Sequence, residues 1–373
     1  MTTLKAEFEV APEARVVVGD VSALVAALAL RGQPFRIGGA GPLGAGVGEF
    51  ETLTSGSSGQ PRHIRRSMAS WIASFAVNAR QFGIRPGVRV AVLGRLEQSL
   101  ALYGAVEALH LGADLFALGG MRPDRMRRAL AEGGVEVLYA SPAQLRLLVE
   151  AAGAELAALR VILVGGSKLD AGLRAALGAL APAAVLHEFY GAAETSFITL
   201  AGPDDPQDSV GRAYLGVEIR APAGEAGEIW VRSAYLFSGY AGGEAGGAQW
   251  QDGWLSVGEM GWMADGRLYL AGRAGRMVTV ADQNVFPEAI ETYLLGLTGV
   301  RRAAVLPRAD ARRGVHLVAV VQGDVTREAE ILAALRAHLG ALKAPKMLIW
   351  RQDWPEMPSG KTDLRALAAL VAV

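Results

Sequence analysis

Nine residues, Thr54-Ser55-Gly56-Ser57-Ser58-Gly59-Gln60-Pro61-Arg62, gather two glycines, four hydroxyls, a proline and a cation. Glycine leaves backbone N–H groups free to wrap phosphate oxygens, the hydroxyls add donors, and Arg62 adds positive charge. It is not the P-loop of nucleoside triphosphatases, because Gly-Lys-[Ser/Thr] is absent. A Ser/Gly linker has a similar composition. Phe50 and Leu53 before the cluster, and a helical pattern over 68–82 after it, speak for a built phosphate loop.

A loop of this kind needs a scaffold, and the surrounding pattern supplies one. Residues 88–93 and 160–164 read as buried strands that end near glycine, with Ala-rich helical stretches over 100–111 and 142–152 between them. Strand and helix in alternation predict an α/β layered domain. After about residue 210 short alternating strands, 227–232 and 266–270, predict a small β section. From Arg276 a third pattern begins: strand 278–280, a helix from Pro287 to Leu295, strands 302–306 and 317–321, and a helix over 327–339. This predicts an α+β unit with a boundary near Gly275, giving domains 1–275 and 276–373.

Composition bounds the function. The 373 residues suggest two or three domains at about 100–200 residues each. With 51% hydrophobic residues the chain can bury a large core. Lys plus Arg and Asp plus Glu both number 37, so no general polyanion trap and no nucleic-acid partner are expected. The absence of cysteine excludes disulfides, Cys-zinc sites, iron–sulfur clusters and thiol nucleophiles. The five histidines show no ligand spacing. No early apolar block resembles a signal peptide and no apolar run is long enough for a bilayer span, so a cytoplasmic protein without membrane attachment is expected.

The loop resembles the phosphate loop of the adenylate-forming superfamily, which includes acyl-CoA synthetases, peptide-synthetase adenylation domains and luciferases. Ser58 stands for that family's usual threonine and Arg62 for its usual lysine. Further matches follow in the family's order: Gly165-Gly166-Ser167-Lys168-Leu169; Glu188-Phe189-Tyr190-Gly191-Ala192-Ala193-Glu194-Thr195; Asp252-Gly253-Trp254-Leu255 through Gly272-Arg273; Gln283-Asn284-Val285-Phe286-Pro287; and Pro358-Ser359-Gly360-Lys361. They span roughly residues 50 to 365.

The resemblance implies a multi-layer large domain with a small β section and a mobile C-terminal α+β lid. It also implies an ATP-dependent enzyme that converts a small carboxylic acid to acyl-AMP and passes the acyl group to a thiol. Coenzyme A is the first choice of thiol; the phosphopantetheine arm of a carrier protein acting in trans is the other. Thr54, Ser55, Gly56, Ser57, Ser58, Gly59 and Arg62 would bind the nucleotide phosphates. Tyr190 and Gly191 would lie at the adenine, and Thr195 would turn a hydroxyl to phosphate. Glu194 would hold Mg²⁺, a hard cation that takes one or two carboxylates plus substrate phosphates; the other reading is a solvated glutamate at a strand–helix junction. Lys361 would meet the carboxylate and the α-phosphate together, where a cation stabilises charge building on phosphorus; the other reading is a surface lysine. Arg273 matches the family's ribose arginine.

Three departures from the pattern stand out. Glu259 takes the place of the usual ribose-binding aspartate and adds a methylene. Gly275 occupies the hinge position usually held by Asp or Lys, and reads as a pivot or as a plain turn glycine. Fewer residues precede the phosphate loop than in the family's pattern. That shortening is compatible with a shallow acyl pocket, with a homodimer covering the flank, or with a degenerate nucleotide-binding partner protein that has little turnover.

Overall fold

The computed structural model describes residues 7–54, 62–241, 246–280, 283–310, 314–357 and 361–371. The chain divides into two compact units, Met1–Ile219 with Val231–Leu255, and Arg220–Trp230 with Ser256–Val373.

The first part of the chain runs β1 (Arg15–Val18), α1 (Ser22–Ala29), β2 (Phe35–Arg36), β3 (Glu49–Leu53), β4 (His63–Ser67), α2 (Met68–Phe82), β5 (Arg89–Val92), α3 (Ser99–His110), β6 (Asp114–Ala117), α4 (Pro123–Glu132), β7 (Val137–Ala140), α5 (Pro142–Glu150), β8 (Val161–Val164), α6 (Ala171–Leu180), β9 (Val185–Ala192), β10 (Ser196–Ala201) and β11 (Arg212–Ala213). Among the described residues one sheet has the order β1-β6-β5-β7-β8-β9-β10-β11. It is parallel from β1 to β9 and antiparallel from β9 to β11.

The central strands explain themselves by the period of two. Val90, Val92, Val137, Tyr139, Val161 and Leu163 point into one core with the aromatic side chains of α2 and α3. Ala91, Leu138, Ala140, Ile162 and Val164 point into a second core with Leu145, Leu148, Leu173 and Leu177 from α5 and α6. Strands buried on both faces read as continuous apolar runs, which is the signature of a parallel sheet covered by helices.

Helix limits follow local chemistry. Ser67 caps α2 by accepting from the Ser70 N–H at 3.2 Å, and Gly83 ends it in the left-handed region at φ 71°. Ser141 and Gln144 form a capping box at the start of α5, with Pro142 behind the cap.

The remaining elements are β12 (Glu218–Arg220), β13 (Gly227–Glu228), β14 (Trp230–Arg232), β15 (Gly239–Tyr240), β16 (Gln249–Gln251), β17 (Trp254–Ser256), β18 (Glu259–Ala264), β19 (Arg267–Arg273), β20 (Val278–Val280), β21 (Gln283–Val285), α7 (Pro287–Leu295), β22 (Val300–Asp310), β23 (Gly314–Gly323), α8 (Glu328–Lys343), β24 (Leu348–Trp350) and α9 (Leu364–Val371). The single strand expected over 227–232 is two. Gly227–Glu228 joins the β18–β19 hairpin, whereas Val231 pairs with Leu255 of β17.

In the second unit the β22-β23-β24 sheet again feeds two cores by alternation. Val305, Leu317, Ala319 and Val321 face Ile290 and Leu294 of α7 and Ile331 and Leu335 of α8. Ala304, Leu306, Val318 and Val320 face Leu367 of α9. Arg276 reaches Glu288 at 3.3 Å and Glu291 at 2.7 Å on α7, tying the end of the β18–β19 hairpin to this α+β core. The architecture is therefore mixed α/β, a large N-terminal part built on the eight-stranded sheet and a small C-terminal α+β part, with short β strands in both units.

Candidate active site

The segment read as a phosphate loop follows β3 and precedes β4, which pair antiparallel. Ser55, Gly56, Ser57, Ser58 and Gly59 lie outside the described residues; Thr54 and Arg62 form the neck. The Thr54 N–H donates to the Arg62 carbonyl at 2.9 Å, and the Arg62 N–H donates to the Thr54 hydroxyl at 3.0 Å. Below the neck, Ser99 at the start of α3 donates its hydroxyl to the Leu53 carbonyl at 2.8 Å and lies 2.9 Å from the Thr52 hydroxyl. The anchorage of this neck on α3 depends on a contact across 46 residues.

Glu194 sits in the tight turn between β9 and β10, an antiparallel pair, and not at the strand–helix junction that the alternative reading of a solvated glutamate supposed. The reason is the reversal of β10 against β9, which starts immediately after Thr195. The turn is built tightly. Ser196 adopts φ 59°, and a Cβ on Gly191 would lie 1.9 Å from the Ser196 carbonyl oxygen. Only glycine fits such an approach. Thr195 is 1% exposed, and its hydroxyl accepts the Ala192 N–H at 2.9 Å. It therefore faces inward and braces the turn. Tyr190 and Gly191 occupy the end of β9, both half-buried.

Two residues that sequence reading passed over surround Glu194. The Tyr240 hydroxyl donates to Glu194 Oε1 at 3.1 Å, and burial together with the Glu194 charge raises the phenol above its ordinary range. Arg62 stacks over the Tyr240 ring at 5.9 Å. Arg66 on β4 is fully buried. Its two terminal nitrogens donate to the carbonyls of Ala193 and Tyr235, and its guanidinium lies 5.8 Å from the centre of the Trp71 ring. Burial lowers it to about 9, with Glu194 and Tyr103 opposing, so it is charged at neutral pH. The signal for Arg66 was present: on a strand of period two it shares a face with buried Ile64. Tyr240 had no comparable signal.

Upstream on β9, Glu188 is held by Arg174 at 2.8 Å and Lys168 at 3.3 Å and accepts the Leu169 N–H at 3.1 Å. Lys168 also donates to the Ser209 carbonyl at 2.8 Å. Lys168 and Leu169 thus hold the middle of β9, the strand that leads into the Glu194 turn.

The other named residues belong to the second unit. Glu259 and Arg273 stand opposite each other on β18 and β19, and Arg273 Nε donates to Glu259 Oε1 at 2.8 Å. The structure brings this predicted pair together, as partners of one another. Gly275 lies in a short 3-10 turn, where an added Cβ would meet nothing within 4 Å. Lys361 is half-buried; its carbonyl accepts the Met357 N–H at 2.8 Å, and a bridge pairs Glu356 with Thr362. Residues 358–360 lie outside the described residues.

Glu194 suits a hard cation. It offers a half-buried carboxylate with Oε1 engaged by Tyr240. Among the described residues no cluster of three or more His, Asp or Glu could cage a metal. A cation at Glu194 would draw its other ligands from a nucleotide and water, as Mg²⁺ does. Among the described residues no helix is long and apolar enough to cross a membrane.

A family model for AMP-binding enzymes matches residues 52–241, and one for the C-terminal domain of AMP-binding enzymes matches 289–361. The uncharacterized acyl-CoA ligase YhfT of Bacillus subtilis is 33% identical over 83% of this chain and 66% of its own length. The chain thus spans about two thirds of that relative. The amide bond synthetase McbA of Marinactinospora thermotolerans has a TM-score of 0.76 at 26% identity, over 87% of this chain and 70% of that one. ATP-bound MatB of Rhodopseudomonas palustris has a TM-score of 0.75 at 24% identity, over 86% and 67%, a likeness of fold.

Proposed function

Because the chain belongs to the AMP-binding enzyme family, we propose that it activates a small carboxylic acid with ATP and passes the acyl group to a thiol. A carboxylate oxygen attacks the α-phosphorus and the bond to the β-phosphate breaks. Acyl-AMP and pyrophosphate result. The thiol sulfur then attacks the acyl carbon, its proton passes to solvent, and AMP leaves. The observation that carries this reading is the shared scaffold of the phosphate-loop neck and Glu194: β4 leaves the loop at Arg62 and, four residues on, Arg66 grips the Glu194 turn.

In this reading Thr54, Ser55, Gly56, Ser57, Ser58, Gly59 and Arg62 hold the β- and γ-phosphates. Tyr190 and Gly191 flank adenine, and Thr195 fixes the turn beneath it. Glu194 would hold Mg²⁺, which when bound neutralises charge on the phosphates. Glu259 and Arg273 bind the ribose hydroxyls, and Lys361 contacts the attacking carboxylate and the α-phosphate. The domains are 1–275 and a lid of 276–373 that pivots at Gly275. The acyl-CoA ligase description of YhfT supports coenzyme A as acceptor; a carrier protein's phosphopantetheine arm is the other acceptor. A second reading, nucleotide binding with little turnover, draws support from the Glu259–Arg273 ion pair, which a ribose must compete with.

The test is pyrophosphate release and hydroxamate trapping over aliphatic, aryl and dicarboxylic acids, with wild type and Lys361→Ala. Lysine-dependent hydroxamate is expected, with kcat lowered by about 10²–10³, as for the loss of one charge-stabilising donor. Mg·ATP binding without hydroxamate from any acid, unchanged by Lys361→Ala, supports the second reading. No Mg·ATP binding rejects both.

A further inference from the structure

Arg66 carries a charge that burial should exclude unless something answers it. Among the described residues no carboxylate lies at ion-pair distance from it. Its compensation comes from the carbonyls of Ala193 and Tyr235, the face of Trp71 and the nearby charge of Glu194, and among the described residues its Nε has no partner. The two carbonyls belong to segments that meet again nearby. The Phe237 N–H donates to the Glu194 carbonyl at 2.8 Å, and the Ser238 N–H donates to the Arg65 carbonyl at 2.8 Å. β15 then pairs Gly239 with Arg65 and Tyr240 with Ile64. Three pieces of chain are stitched around one guanidinium: the strand leaving the phosphate loop, the Glu194 turn, and segment 235–240. A planar fork can address two carbonyls from different segments; an ammonium is a point charge and cannot reproduce that geometry.

We infer that Arg66 is a positioning residue that sets the Glu194 turn against the strand leaving the phosphate loop, while Tyr240 fixes the Glu194 carboxylate through Oε1, so that together they orient the group that would hold the cation. The inference rests on the reading of Glu194 as the Mg²⁺ ligand.

The experiment uses the full chain as wild type, Arg66→Met, Arg66→Lys, Tyr240→Phe and Glu194→Gln. Hydrogen exchange without nucleotide is followed by mass spectrometry, and calorimetry gives the Mg²⁺ concentration needed for half-maximal ATP binding. Arg66→Met should speed exchange at the 192–196 turn and at Phe237 while the rest of the first unit keeps its protection. It should also raise the Mg²⁺ requirement by about tenfold, the lower end of the effect of removing groups that orient metal ligands. Arg66→Lys should fall between. Tyr240→Phe should raise the requirement with the turn's exchange unchanged.

A wild-type Mg²⁺ requirement in Arg66→Met or in a folded Arg66→Lys, with Glu194→Gln impaired, overturns the inference alone. Faster exchange across the whole first unit marks a merely structural cation and also overturns it. If Arg66→Met does not fold, Arg66→Lys and Tyr240→Phe decide. An unchanged requirement in Glu194→Gln overturns the underlying reading instead.

Discussion

Glu107 should make the first unit less stable as pH rises, and replacing it with glutamine should remove that dependence. Its carboxyl, on α3, is fully buried and among the described residues is hydrogen-bonded to neutral partners alone. Asn78 Nδ2 donates to Oε1 at 2.8 Å, the Tyr139 hydroxyl reaches Oε2, and the Tyr103 hydroxyl lies 3.4 Å from Oε1. Asn78 in turn accepts the Tyr214 hydroxyl at 2.6 Å. Burial pushes the carboxyl from 4.5 up to about 8, against the pull of these hydrogen bonds. The folded form therefore keeps its proton over a range in which the unfolded form has lost it. The contribution to stability is complete below the unfolded value and is lost as pH rises through about 8. At about 1.4 kcal/mol per unit, wild type should lose roughly 3–4 kcal/mol from this group between pH 5 and pH 8.

Glu107→Gln keeps an acceptor for Asn78 and a donor for Tyr139 but does not titrate. Its stability relative to wild type should therefore rise by that amount over the same interval. Urea unfolding at several pH values, read by hydrogen exchange of the α3 peptide, isolates the first unit from the second. Parallel pH curves for wild type and variant would mean that Glu107 is ionised in the fold, and the reasoning would be wrong.

Two further outcomes are expected. Gly191→Ala places a methyl 1.9 Å from the Ser196 carbonyl oxygen, on backbone that the β9–β10 ladder holds. It should destabilise by about 2 kcal/mol or more and weaken Mg·ATP binding, checked by thermal unfolding and calorimetry; a stable, tightly binding variant would refute the described turn. Gly275→Ala meets no neighbour in this conformation, so stability should move by less than about 0.5 kcal/mol. If Gly275 is the pivot, acyl transfer to the thiol should slow while pyrophosphate release persists, and equal loss of both steps would remove the pivot role.

Much of the scaffold was legible because its rules are local. The helix expected over 68–82 is Met68–Phe82, with a cap and a terminal glycine adjacent in sequence. The strand cores at 89–92 and 161–164 follow from apolar runs bounded by glycine. The strand expected over 227–232 was misread because both halves have strand composition, and the chain changes sheets at Ile229. The junction at Glu194 was open between two readings for a similar reason. Small residues before an acid suit a helix start as well as a hairpin, and the choice belongs to β10, which pairs back onto β9.

The sequence by itself determined the layered α/β architecture and supplied the ordered motifs from which the candidate acids and cations were read. These signals live in residue type, period and short spacing. Only the tertiary structure decided which charges face one another. Arg66 finds its carbonyls 127 and 169 residues away, Glu107 finds Tyr139 across 32, and Glu259 meets Arg273 through a strand register. A side chain's type sets what it can bind. Its partner and its burial, which set its charge state and its role, come from chain segments that no local pattern brings together.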